Sequence, residues 1–320
     1  MNQVKENPFP YTSDNKRYYT WNHYLKTTFN QKVFKVALDA GFSCPHRRSD
    51  GKGGCTFCSE AGSGDFAGNR SMLLAKQFEE QKAMMLRKWP DGLAIAYFQA
   101  YTNTYAPLST LKEIYEPFFN GTIDCLGVAI ATRPDCLDDE IIEYLVEKNK
   151  QKPLYLEIGV QTIFNETSRL INRGHTTEVL EETLTRLKKT DIPLVLHIIN
   201  SLPYESADMM IQTAKWVAKW HPFAIKIHML HILKRTPMAL QYQHSPFPIL
   251  SKEEYIDIVV SQLEVLPEDI VIQRLTGDAP SEDLITPLWT LSKVAVLNDI
   301  DKAMVARNSW QGKYDETSKY

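Results

Sequence analysis

Short apolar runs alternate along the chain with longer stretches whose apolar residues recur every three or four positions. The first pattern suits buried strands, the second helices with one apolar stripe. Strands are predicted at 32–38, 93–99, 125–133, 154–161, 193–200, 224–230 and 270–274. Helices are predicted at 72–88, 111–119, 138–148, 177–189, 207–219 and 253–266. Strand and helix thus alternate about six times, which supports parallel strands joined by crossover helices. The expectation is an α/β barrel-type core over residues 31–290, with residues 1–30 and 291–320 as N- and C-terminal extensions.

A parallel strand covered on both faces should read as a nearly continuous apolar run. Three predicted strands do not. Leu154, Leu156, Ile158 and Val160 alternate with Tyr155, Glu157, Gly159 and Gln161, and Ile225, Ile227 and Met229 alternate with Lys226 and His228. In the third, the alternate positions Gly127, Ala129 and Ala131 are small and end on Arg133. One face of these strands meets helices. The other meets either a polar-lined cavity or a network of internal ion pairs.

Composition narrows the class without naming it. A chain of 320 residues, 43% hydrophobic, can form one large barrel-type domain, for which about 250 residues are typical. The net charge of −3 does not advertise nucleic acid, so any RNA contact must come from local basic patches. No apolar run reaches transmembrane length and residues 1–20 contain no apolar signal core, so a cytoplasmic location without a membrane partner is expected. That compartment also keeps the five cysteines reduced.

Three of the cysteines carry candidate chemistry. Cys44, Cys55 and Cys58 combine a tight Cys-x-x-Cys limb with a spacer in which Gly51, Gly53 and Gly54 let the backbone fold closely around a bulky group. Thiolates are soft donors that select zinc or iron–sulfur clusters. Three can hold three irons of a 4Fe–4S cluster and leave the fourth iron open. A closed zinc site would need a fourth ligand, from His46 or His175. Buried thiols without metal are the remaining reading.

The cysteine loop, with an aromatic residue before its last cysteine in Thr56-Phe57-Cys58, resembles the cluster loop of radical S-adenosylmethionine (SAM) enzymes. Its long first gap is similar to that of the Elp3-like and coproporphyrinogen dehydrogenase-like subgroup. Ala131-Thr132-Arg133-Pro134-Asp135, Glu157-Ile158-Gly159-Val160-Gln161-Thr162, Asn172-Arg173-Gly174-His175-Thr176 and Leu202-Pro203 extend the resemblance over roughly residues 30 to 280.

The resemblance implies a partial TIM-type (β/α)6 barrel, a 4Fe–4S cluster on Cys44, Cys55 and Cys58, and SAM chelating the open iron. It places Phe57 beside the adenine, Gln161 at the ribose and Arg173 at the methionine carboxylate. Ala100, Tyr101 and Thr102 stand where relatives carry a glycine-rich motif that holds the methionine amino group. Ala131 and His197 replace two acidic positions of relatives, implying a modified nucleoside pocket. The implied chemistry is one-electron cleavage of SAM to methionine and a 5′-deoxyadenosyl radical, which abstracts hydrogen from substrate.

The resemblance also reaches a bacterial branch that includes a tRNA-modifying type, which converts the carboxymethylaminomethyl group of the wobble uridine toward aminomethyl. On that basis tRNA is the expected substrate, and a reducing protein such as flavodoxin or ferredoxin the electron donor. Lys226, His228, Lys234 and Arg235, with His231, gather near the end of the sixth predicted strand and are candidates for an anionic substrate group. Residues 16–21, rich in cations and aromatics, read as an RNA-contacting arm or a surface strap. Cys125 reads as a buried thiol. Cys136 reads as a loop thiol, with an extra-ligand or relay role as the other possibility, and Trp216 and Trp220 as packing residues. Two other functions stay open: a coproporphyrinogen- or haem-handling radical SAM protein, and a non-catalytic iron–sulfur or zinc RNA-binding protein.

Overall fold

The computed structural model describes residues 7–12, 15–48, 50, 52–62 and 64–317. Gly51 of the spacer and the outermost residues of both predicted extensions lie outside them. In chain order the elements are α1 (Trp21–Phe29), β1 (Val33–Leu38), α2 (Leu74–Leu86), β2 (Leu93–Phe98), α3 (Leu108–Phe119), β3 (Gly127–Thr132), α4 (Asp139–Asn149), β4 (Leu154–Gln161), α5 (Asn165–Leu170), α6 (Thr177–Leu187), β5 (Leu194–Asn200), α7 (Ala207–Trp220), β6 (Ala224–Met229), β7 (Ile232–Leu233), α8 (Pro237–His244), α9 (Lys252–Val265), β8 (Val271–Arg274), β9 (Leu284–Thr286) and α10 (Lys293–Ala306). Seven strands form one sheet in the order β1-β2-β3-β4-β5-β6-β8, while β7 and β9 form a separate antiparallel pair. The parallel sheet is the curled half-barrel of an α/β fold. All seven predicted strands are present, with ends moved by a few residues at most.

The chain divides into two compact units, and the division falls inside β4 and β5. Leu25–Gly159 and Asn172–Val195 make the cysteine unit. The residues up to Tyr24, Val160–Ile171 and the residues from Leu196 onward make the histidine unit. No helix among the described residues is long and apolar enough to cross a membrane.

In the cysteine unit, β1 to β4 run parallel with the registers Val33↔Leu93, Ile95↔Gly127 and Val128↔Leu154. The apolar runs are buried as their composition requires, with Ile95, Phe98, Val128, Ile130, Leu154 and Leu156 shielded from solvent. The stripe Leu111, Tyr115, Phe118 and Phe119 of α3 is buried, and Phe98 meets the edges of Tyr115 and Phe118 at 4.8 and 5.1 Å. Asp138 caps α4 by accepting the Ile141 N–H at 2.8 Å.

The alternating polarity of β4 has a direct counterpart here. Lys35 of β1 and Glu157 of β4 form a 2.5 Å ion pair, and the Lys35 ammonium lies 4.8 Å from the ring centre of Tyr97 on β2. In a flat sheet three strand spacings would hold β1 and β4 about 14 Å apart. The sheet must therefore curl for these side chains to meet, and an internal ion pair occupies part of its polar face.

In the histidine unit, β6 and β8 pair in parallel from Ala224↔Val271 to Lys226↔Arg274, with an irregularity at Ile225/Lys226. Asn200 and Gln262 exchange two 2.8 Å hydrogen bonds beneath the end of β5. The basic and aromatic segment near the start is held as a strap: Arg17 and Tyr18 are buried, Arg17 donates to the Ser309 carbonyl, and the Ile272 N–H donates to the Tyr19 carbonyl at 2.7 Å. Later in the same unit α10 packs on α9, whose first turn carries a Ser251/Glu254 capping box.

Candidate cysteine site and its surroundings

Ten residues separate Cys44 from Cys55, and hydrogen bonds among the described ones draw the two limbs together. The Arg48 N–H donates to the Lys52 carbonyl at 2.8 Å and the Gly54 N–H to the His46 carbonyl at 3.1 Å, which returns the chain to its starting point. Glycine is needed on the returning limb. Gly53 has φ +87°, and a Cβ there would sit 2.7 Å from the His46 carbonyl oxygen. A second turn, closed by the Cys58 N–H donating to the Cys55 carbonyl at 3.2 Å, brings the last thiol beside the second.

The three thiols lie within one another's electrostatic reach. Cys58 is hydrogen-bonded to Cys55, and the two thiols shift in opposite directions. The hydrogen bond from Cys58 lowers Cys55 to about 5 against the effect of burial, with His46 assisting, while the same bond and burial raise Cys58. Burial raises Cys44 as well, opposed by the Thr102 hydroxyl at 3.1 Å and the guanidinium groups of Arg133 and Arg47. Such thiols become anionic readily when a cation arrives to compensate the charge. Among the described residues, no three His, Cys, Asp or Glu side chains form a group that could hold a metal ion. The donor chemistry, three thiols on one short loop with arginines nearby, suits a bulky thiolate-held cluster.

Several neighbours brace the loop. The Tyr101 ring lies 5.1 Å from each of the Arg47 and Arg70 guanidinium groups, and its hydroxyl donates to the Glu60 carbonyl. Ala100, Thr102 and Asn103 are fully buried, and the Asn103 amide donates to the Phe98 and Ala131 carbonyls at 3.0 and 2.9 Å. The three residues of the altered second-strand motif therefore sit directly against the cysteine loop. Phe57 is half-buried on the loop itself.

The turn at 172–174 closes on the same loop. Asn172 donates to the Gly54 carbonyl at 2.7 Å, and Arg173, 1% exposed, donates through Nε to the His175 carbonyl at 3.0 Å. Burial lowers Arg173 to about 10, with Cys55 opposing and Arg133 reinforcing the shift. Arg133 grips Asp135 through two hydrogen bonds of 2.9 and 2.8 Å and donates to the Arg173 carbonyl. Burial works against its charge, but Asp135 outweighs burial and raises its pKa above the ordinary value. His175 is lowered to about 3 by burial and then by the two arginines, so it is neutral.

Gly174 locks this arrangement. Its φ is +83°, and a Cβ would lie 3.0 Å from the His46 ring and 3.1 Å from the Arg133 guanidinium. Gly174→Ala is expected to lower stability by about 1–2 kcal/mol from the left-handed backbone alone. It should also displace His46 and reduce the iron that the protein retains. Chemical denaturation and iron analysis of the variant check both effects.

The remaining candidates fall in the histidine unit. Gln161 ends β4 with φ +56°, and His197 of β5 lies 5.3 Å, ring centre to ring centre, from His228. Burial, then His197, Arg274 and Lys226, hold His228 neutral, and burial with Arg274 lowers His231 to about 4 against the pull of Asp278. Lys226 and His228 therefore share a basic group with Arg274, a residue the sequence reading did not single out. Lys234 and Arg235 are engaged elsewhere. Lys234 donates to the Glu282 carbonyl at 2.6 Å, and Arg235 makes a fork of 3.0 and 2.9 Å to Asp283. Cys136 stays protonated, pushed up to about 12 by burial and Asp135, and Cys125 is buried with its thiol 3.4 Å from the Phe118 carbonyl.

Comparison with known proteins fits this geometry. The description "Radical SAM superfamily" matches residues 43–217, and "Radical_SAM C-terminal domain" matches residues 222–306. The chain belongs to the radical SAM superfamily, enzymes whose cofactors are a 4Fe–4S cluster and SAM. It is 48% identical over 314 residues to YtqA of Bacillus subtilis (strain 168), covering 97% of each chain. It is 26% identical over 165 residues to the tRNA uridine(34) acetyltransferase of Methanocaldococcus infernus, covering 50% of this chain and 30% of that protein. The structure of archaeal Methanocaldococcus infernus Elp3 with an N-terminal deletion has a similar fold, with TM-score 0.63, 17% identity and coverage of 74% of this chain and 60% of that one.

Proposed function

We propose that this radical SAM enzyme acts on tRNA and removes the carboxymethyl unit from 5-carboxymethylaminomethyluridine at the wobble position. The observation that carries the reading is the similarity of half the chain to a protein named for uridine 34 of tRNA, together with a cysteine loop suited to an open cluster. Cys44, Cys55 and Cys58 hold the cluster, Phe57 lies at the adenine, Gln161 at the ribose and Arg173 at the methionine carboxylate. Ala100, Tyr101 and Thr102 shape the methionine side, and His197 the altered nucleoside pocket. When bound, cluster and SAM supply a hydrogen-abstracting 5′-deoxyadenosyl radical, a chemistry that belongs to the cofactors.

On the substrate, the carbon between nitrogen and carboxylate loses one hydrogen atom to the deoxyadenosyl group and one electron to a one-electron carrier. The resulting iminium ion takes up water and sheds a proton, the C–N bond breaks, and glyoxylate leaves the aminomethyl nucleoside. Lys226 and His228, with Arg274 beside them, hold the substrate's anionic group, and Lys234 and Arg235 fix the 282–283 segment at its rim. A flavodoxin- or ferredoxin-type protein of the cytoplasm supplies the reducing electron.

The test is anaerobic incubation of reconstituted enzyme, SAM and dithionite with tRNA that carries the carboxymethylaminomethyl group. The expected result is deoxyadenosine that rises with this tRNA, together with a wobble nucleoside converted to aminomethyl by mass spectrometry. Deoxyadenosine unaffected by the tRNA, with the nucleoside unchanged, would overturn the substrate.

A further inference from the structure

His46 lies in the loop between the first two cysteines. Its Nε2 is 3.7 Å from the Cys55 sulfur. Its carbonyl accepts the Gly54 N–H at 3.1 Å, and its ring lies so close to Gly174 that a Cβ there would be 3.0 Å from Cγ. Backbone and ring are thus pinned from two sides, and the nitrogen facing sulfur has little freedom to turn away. The other ring nitrogen, Nδ1, is buried and has no hydrogen-bond partner among the described residues.

We infer that His46 is a positioning residue that donates an Nε2–H hydrogen bond to the Cys55 thiolate and thereby raises the reduction potential of the cluster. An imidazolium carries a proton on both nitrogens. A neutral imidazole carries one, and it settles on the nitrogen that faces an acceptor. In either form Nε2 presents N–H to sulfur, since the buried Nδ1 faces no acceptor that would compete for the proton. A hydrogen bond to a ligating thiolate withdraws charge from the sulfur and favours the reduced, more negative state of the iron centre. The acquired electron is then held more easily by a site that already has Arg133 and Arg47 within electrostatic reach of its thiols.

The inference rests on the reading that Cys55 holds iron, so iron, sulfide and visible absorption are measured first. A wild-type protein that binds no cluster would count against that reading itself. With the cluster present, redox titration is expected to give a more negative midpoint potential for His46→Phe, with His46→Gln, whose amide retains an N–H, falling between. Equal potentials in wild type and His46→Phe would overturn the inference. A second measurement needs no variant. Pulsed electron spin spectroscopy of the reduced wild-type protein, grown with nitrogen-labelled histidine, should show one weak histidine coupling. Absence of coupling, or a large one of the kind that direct ligation of iron gives, would overturn it.

Discussion

Cys58→Ala is expected to yield a protein that folds but has lost the brown iron–sulfur absorption and whose deoxyadenosine formation from SAM is at background. The same result is expected for Cys44→Ala and Cys55→Ala. The three thiols lie within one another's electrostatic reach, and Cys55 and Cys58 are hydrogen-bonded, so removing either member of that pair also changes the other. Cluster assembly needs deprotonated thiolates, and with two of them the cluster loses a corner that no neighbouring cysteine supplies. Iron and sulfide analysis beside circular dichroism separates loss of the cluster from loss of the fold. A Cys58→Ala protein that still cleaved SAM would refute the ligand assignment.

Glu157→Ala should cause the largest loss of stability among single changes on the polar face of the sheet. Glu157 is shielded from solvent, and its carboxylate pairs with Lys35 at 2.5 Å. Replacing one partner leaves the Lys35 ammonium in a site that is only 16% exposed. Breaking a buried pair in this way costs about 3–5 kcal/mol, because the abandoned charge stays desolvated. Urea denaturation measures the change, and Glu157→Ala combined with Lys35→Met should recover most of it. A single variant within 1 kcal/mol of wild type, on the scale typical of surface changes, would show that the pair does not hold β1 against β4.

The strands were legible because their chemistry is simple. Leu93–Phe98 is apolar on both faces and too short for a buried helix, so a covered parallel strand was the consistent reading. The alternation in β4 was equally legible, but whether Glu157 faced a cavity or a cation depended on Lys35, which lies over a hundred residues away in sequence. The helix Trp21–Phe29 was absorbed into the predicted N-terminal extension, although Trp21, Tyr24, Leu25 and Phe29 recur at helical spacing. Lys293–Ala306 was absorbed into the predicted C-terminal extension. The pair β7 and β9 spans two and three residues, below the length at which alternation carries a signal.

At the site, the candidate thiols stand out in the sequence and the residues that hold their loop do not. Cys44, Cys55 and Cys58 declare themselves by type and spacing. The residues that place them act across the fold: Asn172 on the Gly54 carbonyl, Gly174 under His46, Arg133 against Asp135 and the Arg173 carbonyl. The runs Ala131-Thr132-Arg133-Pro134-Asp135 and Asn172-Arg173-Gly174-His175-Thr176 already contained these residues, but nothing in local pattern says which groups they meet. Arg274 joined Lys226 only through the register of β6 with β8, which follows from strand pairing and not from spacing.

The central claim is that three cysteines hold a cluster whose fourth iron is open to SAM. Its most direct test is electron paramagnetic resonance of the dithionite-reduced, reconstituted protein before and after adding SAM, repeated with SAM labelled in its methionine carboxylate and amino groups. A signal that shifts on addition and shows coupling to the labelled atoms is the predicted result. A cluster signal that SAM leaves unchanged would contradict the account.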